Sequence, residues 1–195
     1  MNKENGNEIK RLIHMALNPS GDPVNLRERE QAARNLLEHG NEAHDALMVM
    51  LLDKPESLEA PRIVELIGRF KKDESVDVLK KLLMQCGPVT CRPAGISLAL
   101  INTNAANEAL KQALLSDNRE VRIAAIDGVR LSGNKTWCAL LSSSLQDQDA
   151  NLRYYAVNTA AALGCLDVRH LKNIIEGDAD EHVRQLASTW LGKTC

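Results

Sequence analysis

The sequence predicts an all-α solenoid: a right-handed superhelix of about five stacked helix pairs with an extra helix at each end. Three observations predict it. An arginine recurs as Arg29, Arg62, Arg92, Arg122, Arg153 and Arg184, at steps of 33, 30, 30, 31 and 31 residues. Around it the same pattern is rewritten, as in "NREVRIAAIDGVRLSG", "DANLRYYAVNTAAALG" and "DEHVRQLASTWLG". Aromatic residues make up only 3% of the 195 residues while hydrophobic residues make up 44%. A core built from Leu, Ile, Val, Ala and Met suits close-packed helices better than a β-sandwich. No run alternates with period two, so no strand is expected.

The first predicted element, a helix over about 6–17, falls outside the register and is read as a cap on the apolar side of the first repeat; the loop "NPSGDP" follows it. The repeats are placed at about 24–53, 57–85, 89–116, 119–147 and 150–177, with a half-repeat at 180–192, all in one domain spanning 1–195. In each repeat a first helix, A, starts near the arginine. Three positions on stands Ala32, Glu65, Gly95, Ala125, Ala156 or Ala187, mostly small, so that neighbouring helices can approach. Eleven positions on stands Gly40, Asp73, Thr103, Gly133 or Gly164, where glycine can end the helix in the left-handed conformation. A second helix, B, carries Leu47, Leu79, Leu110, Leu140 or Leu171. A further apolar pair follows: Leu51/Leu52, Leu82/Leu83, Leu114/Leu115 and Ile174/Ile175, with Ser144 and Leu145 departing in the fourth repeat. The leucine spacing forms one apolar stripe. The clusters "SDN", "DQDAN" and "GDAD" supply caps for the next A helix, and Pro61 and Pro93 fall near helix starts, where a missing N–H costs little.

The segments "VRIAAIDGVRLSG" and "LRYYAVNTAAALG" resemble the first helix of the HEAT-like repeat of the phycobilisome-lyase type, which reads roughly Val-Arg-x-x-Ala, then Ala-Leu-Gly, then a second helix with Leu-x-x-Leu-Leu and an acidic turn. The resemblance is sharp over 116–192, good over 26–53 and blurred over 57–115. It implies a fold and not a function, because such repeats serve in lyases, DNA-repair proteins and adaptors.

The chemistry-bearing residues point away from catalysis. No glycine-rich phosphate loop, G-x-S-x-G or HExxH is present. Ser142–Ser144 have no nearby acid and base, and His14, His39, His44, His170 and His182 are scattered; no metal or other cofactor is expected. The five cysteines are an odd count and are read as free thiols, with a reversible disulfide across "CGPVTC" (Cys86, Cys91) as the alternative. The arginine row is read as pairing with turn residues such as Asp117, Asp147, Asp149 and Asp180, not as an anion site. A formal net charge of −2 gives no global attraction for nucleic acid or anionic lipid. The run "ALMVMLL" is too short to span a bilayer, and the N-terminus has no signal-peptide pattern; the expectation is a cytoplasmic chain.

In HEAT-like solenoids the B helices line the concave surface. With the leucines turned inward, the next two positions face out: Met48 and Val49, Lys80 and Lys81, Lys111 and Gln112, Leu141 and Ser142, Lys172 and Asn173. This basic and apolar stripe predicts a non-catalytic module that docks an acidic, partly apolar protein. The resemblance implies an alternative, a subunit of a bilin lyase or isomerase; a nucleic-acid binder like the helical-repeat glycosylases ranks last, since its groove would lack aromatics. At the other end, Val183, Ala187 and Leu191 are expected to pack on the preceding repeat. Leu186 and Trp190, on an adjacent face, are read either as tucked under the C-terminal residues or as an association site for a homodimer or a partner helix.

Overall fold

The computed structural model describes residues 3–18 and 23–194. Among them the chain forms twelve α-helices and no strand: α1 (Lys3–Leu17), α2 (Pro23–Glu38), α3 (Gly40–Asp53), α4 (Ala60–Arg69), α5 (Val76–Gln85), α6 (Cys91–Ile101), α7 (Asn104–Leu114), α8 (Arg119–Ser132), α9 (Cys138–Ser144), α10 (Ala150–Ala162), α11 (Val168–Gly177) and α12 (Glu181–Thr194). This is an all-α solenoid. The A helices α2, α4, α6, α8, α10 and α12 alternate with the B helices α3, α5, α7, α9 and α11, and each layer packs mainly on its sequence neighbours. Most of the loop "NPSGDP" lies outside the described residues.

One continuous core runs from Ile9, Leu12 and Ile13 of α1 to Leu163 at the end of α10. A separate small cluster of Val157, Leu171, Val183 and Ala187 closes the C-terminal end. Buried Ile9, Leu12, Ile13 and Ala16 show α1 seated on the first repeat.

Local sequence sets the helix boundaries. Asn118 accepts from the Glu120 N–H at 2.9 Å and Asp149 from the Leu152 N–H at 3.0 Å, so side chains cap α8 and α10. Asp180 does the same for α12, accepting from the His182 and Val183 amides. Gly40, Gly133 and Gly164 take left-handed backbone at the ends of α2, α8 and α10. In the second and third repeats, however, the left-handed residues are Lys71 and Asn102, both at φ +54°, and not Asp73 and Thr103. Helices α4 and α6 stop earlier, and Thr103 instead caps α7 by accepting from the Ala106 amide. Asp73 accepts a hydrogen bond from the Thr103 hydroxyl, tying two repeats together.

The expectation of free thiols is overturned for four of the five cysteines; the fifth, Cys195, lies outside the described residues. Cys86 pairs with Cys91 across the α5–α6 turn, and Cys138 at the start of α9 pairs with Cys165 in the α10–α11 turn.

The one acidic residue at the small third position, Glu65, is accounted for by an ion network between α2 and α4. Arg62 reaches Glu30 at 2.6 Å and Glu65 at 2.7 Å; Arg69 reaches Glu30 at 2.8 Å and Glu65 at 2.6 Å. Hydrogen bonding from Arg69, then from Arg62, outweighs partial burial and lowers the Glu30 carboxyl from 4.5 to about 2. A depressed carboxylate stabilises the fold above its unfolded value, and that contribution is lost as pH falls from 4.5 towards 2. The melting temperature of Glu30→Gln is therefore expected below wild type at pH 7, with the gap closing by about pH 2. Thermal melts across pH 2–7 check it; a gap that stays constant refutes the network's role.

Candidate functional site

The arginine row is consumed by the fold. Arg122 donates to the Ser116 and Asp117 carbonyls at 2.8 and 3.1 Å and reaches Asp147 of the next turn at 3.2 Å. Arg153 repeats the pattern on the Asp147 and Gln148 carbonyls and clamps Asp178 through two bonds of 2.9 and 2.8 Å. Arg184 donates to the Asp178 carbonyl at 2.7 Å. Arg122 and Arg153 thus fasten their own turn to the next, while Arg184 holds its own turn. Arg92 differs, donating to the Tyr155 hydroxyl at 2.9 Å with Asp127 at 3.5 Å. Burial raises the Asp127 carboxyl despite Arg92.

A hydrogen-bonded chain resembles a catalytic triad. His44 Nδ1 lies 3.1 Å from Asp45 Oδ1, and Nε2 lies 2.6 Å from Ser75 Oγ. Ser75 is fully buried, so no substrate reaches its hydroxyl. The chain serves instead to lace α3 to α5. Among the described residues no cluster of three His, Cys, Asp or Glu side chains is placed to hold a metal ion, and no helix is long and apolar enough to cross a membrane. An open groove of about 600 Å³ between α1, α3 and α4 is lined by Lys10, Ile13, Met50, Asp53, Lys54 and Glu59, where opposite charges balance.

The B-helix face has a clearer order. Its inward leucines are Leu47, Leu79, Leu110, Leu141 and Leu171, all buried. Leu141 is 0% exposed, so it belongs to the core and not to the outer stripe. The reason is a one-residue loop difference. Counted from the left-handed residue, the inward leucine comes seven residues after Gly40 and Gly164 but eight after Lys71, Asn102 and Gly133. Two of the longer connections contain a 3₁₀ turn, Asp73–Ser75 and Lys135–Trp137. Leu140 is then the half-buried neighbour, and Ser142 and Ser143 take the outward places.

The remaining outward residues stand as follows. Met48 and Lys80 are half-buried; Lys81, Lys111, Gln112, Lys172 and Asn173 are exposed, and Val49 is 67% exposed. Lys111 meets Glu108 at 3.4 Å, an exposed pair of little worth. Neither Lys80 nor Lys81 makes an ion pair among the described residues. Behind the lysines, towards the helix N-termini, lies an exposed acidic row of Asp45, Asp77 and Glu108.

On the other side lies a feature that the leucine pattern concealed. Leu52 is 63% exposed, Met84 39% and Leu115 69%. Each sits five residues after its inward leucine, Leu52 on α3, Met84 on α5 and Leu115 just past the end of α7. Burying such side chains in a partner gains roughly 25 cal/mol per Å² of apolar area, so a file of them across three repeats is the strongest binding feature on this face.

Leu186 and Trp190 are not bare. Both are half-buried against the C-terminal cluster with Leu191, and the Trp190 indole N–H donates to Asn158 at 3.2 Å under the Lys193 ammonium. Val183 and Ala187 are buried.

Residues 107–192 match the family model of HEAT repeats. No curated protein matches the chain. Among solved structures it is similar to an engineered protein, a Northeast Structural Genomics Consortium target, at 19% identity over 95% of each chain, with a TM-score of 0.47.

Proposed function

We propose that the chain is a non-catalytic docking module that holds a protein partner on its B-helix face. HEAT repeats generally mediate protein–protein interaction. The observation that carries the reading here is the exposed apolar set Val49, Leu52, Met84 and Leu115 beside Lys80, Lys81 and Lys111. Apolar contacts supply affinity and the lysines steer encounter.

The test compares the wild-type chain with the charge-reversed K80E/K81E/K111E as bait, then measures binding kinetics of the captured protein. The reversal is expected to lower the association rate by about tenfold at low salt and to flatten its salt dependence. The melting temperature is expected to stay nearly unmoved, because these side chains are largely solvent-facing. Unchanged kinetics in the triple variant place the docking surface elsewhere.

The phycobilisome-lyase subtype, and with it the bilin lyase or isomerase reading, rests on the repeat signature alone; incubation with a bilin and an acceptor protein tests it. A nucleic-acid role ranks below both. Stacking on bases needs exposed rings on the binding face, whereas Trp137 is buried, Tyr155 lies on α10 under Arg92, Trp190 is engaged on α12, and the exposed ring of Tyr154 is carried by the A helix α10 and not by a B helix.

A further inference from the structure

We propose that the Cys86–Cys91 pair is a thiol–disulfide exchange site at the α5–α6 turn, opened at Cys86 by a small thiol of glutathione's kind and closed again by the return of Cys91. This site does not depend on the docking reading. The second bond, Cys138–Cys165, is structural.

Both cysteines share the wall of a cleft of about 300 Å³ with Pro88, Val89, Arg92 and Glu120. That is room for a small thiol. Cys86 is half-buried, whereas Cys91 is 7% exposed, so the incoming sulfur meets Cys86. The attacking form is the thiolate. Glu120 is paired with Arg119, so the wall does not repel that charge.

The thiolate attacks Cys86 Sγ. The S–S bond breaks, its electron pair leaves on Cys91 Sγ, and that sulfur takes up the proton the small thiol gave up. The Leu83 carbonyl oxygen lies 3.6 Å from Cys91 Sγ and the Glu120 carbonyl oxygen 3.8 Å, so the released thiol has acceptors already in place. A second small thiol then attacks the small-molecule sulfur of the mixed disulfide and frees Cys86, which is protonated in turn. The products are two protein thiols and one small-molecule disulfide, two electrons having passed to the protein. When Cys91 instead attacks Cys86 Sγ of the mixed disulfide, the small thiol is expelled and the bond re-forms.

Backbone conformation favours opening here. Cys86 takes φ +49°, the left-handed region that a side chain enters at a cost, whereas neither Cys138 nor Cys165 has a positive φ. The bonded turn bears that cost, and opening it lets Cys86 relax, which favours reduction. Closing needs no refolding. Leu82 and Leu83 before the turn and Ala94 and Leu98 after it are buried, so α5 and α6 stay seated. Sulfurs only five residues apart in the chain then remain within reach of each other. Cys138 and Cys165 are 27 residues apart, in consecutive repeats, and are free to part once reduced.

The experiment equilibrates the oxidised full chain in buffers of graded glutathione and glutathione disulfide, quenches with acid, alkylates the free thiols and reads each cysteine by mass spectrometry. Cys86–Cys91 is expected to be half-reduced at a ratio of squared glutathione to glutathione disulfide at least about tenfold below that needed for Cys138–Cys165. It is expected to re-form when the ratio is lowered, with far-UV circular dichroism unchanged throughout. Glutathione disulfide is expected to label Cys86 in Cys91→Ser at least about tenfold faster than Cys91 in Cys86→Ser. Equal midpoints, or earlier reduction of Cys138–Cys165, overturn the proposal. So does a short bond that is absent from the oxidised chain, that fails to re-form, or whose opening costs helicity. Equal labelling rates overturn Cys86 as the point of entry.

Discussion

Gly128→Leu is expected to destabilise the array by more than about 4 kcal/mol, enough to leave it unfolded near physiological temperature. Helices α6 and α8 meet backbone to backbone. A Cβ on Gly128 would stand 2.3 Å from the Gly95 carbonyl oxygen, and one on Gly95 would stand 2.4 Å from the Ala124 carbonyl oxygen. The obstructing atoms are main chain inside helices, so no rotamer change relieves the clash. The helices must separate, and that opens the packed layer around Ala94, Leu98, Val121 and Ala125, all buried. Overpacking of this kind costs about 1–3 kcal/mol for a small group and more for a large one. Gly128→Ala sets that cost against the helix-propensity gain of about 1 kcal/mol, so a net loss of up to about 2 kcal/mol is expected for it. Gly192 in α12 has nothing within 4 Å of a built Cβ; Gly192→Ala is expected to be neutral or to stabilise by up to about 1 kcal/mol. Urea unfolding of the three variants decides the matter. Gly128→Leu within about 1 kcal/mol of wild type would show that the two helices do not make this contact.

The solenoid itself was legible because each repeat states its ends: a cap, an arginine, a small residue, a glycine and a leucine stripe. Gly95 was legible as a small residue at the third position, but its partner Gly128 sits three residues beyond the equivalent Ala125, in a column that is glycine again only at Gly68. Leu141 was misplaced because a count from the arginine or from the left-handed glycine assumes a constant loop, whereas the inward leucine follows the left-handed residue by seven residues in two repeats and by eight in three. The exposure of Leu52 was readable in principle. At about 100° per residue, Leu51 falls some 40° from Leu47 around the helix, while Leu52 falls some 140° away. Reading "LL" as one apolar pair hid a core residue and a surface residue in the same two letters. Lys71 takes glycine's conformation with no warning from its residue type, whereas Asn102 is the residue that most often replaces glycine there. The Cys86–Cys91 bond was legible only as the alternative to free thiols, and the Cys138–Cys165 bond was not legible, since that pairing depends on which turns the stacking brings together.

Reduction is expected to loosen the C-terminal repeats before the rest of the array. The Cys138–Cys165 bond closes 27 residues and joins the start of α9 to the turn after α10, so it staples consecutive repeats. The Cys86–Cys91 bond closes only five and stays within one turn. By loop-closure entropy the first is worth about 3.5 kcal/mol and the second about 2. The location enlarges the difference. Helix α9 has seven residues and buries only Leu141 and Ser144 of its own, and the C-terminal cluster beyond it is separate from the main core. Repeats hold mainly to their neighbours, so a weakness there spreads towards α12 more readily than towards α1. Cys138→Ser with Cys165→Ser is therefore expected to lower the melting temperature by of the order of 10 °C. Amide protection in α9 to α12 should fall while that in α4 to α6 is retained. Cys86→Ser with Cys91→Ser is expected to cost less and to act around α5 and α6. Thiol titration of the unreduced, denatured chain comes first: five reactive thiols would mean that neither bond forms, and equal melting temperatures for the two double variants would mean that the longer loop confers no special hold on the C-terminal repeats.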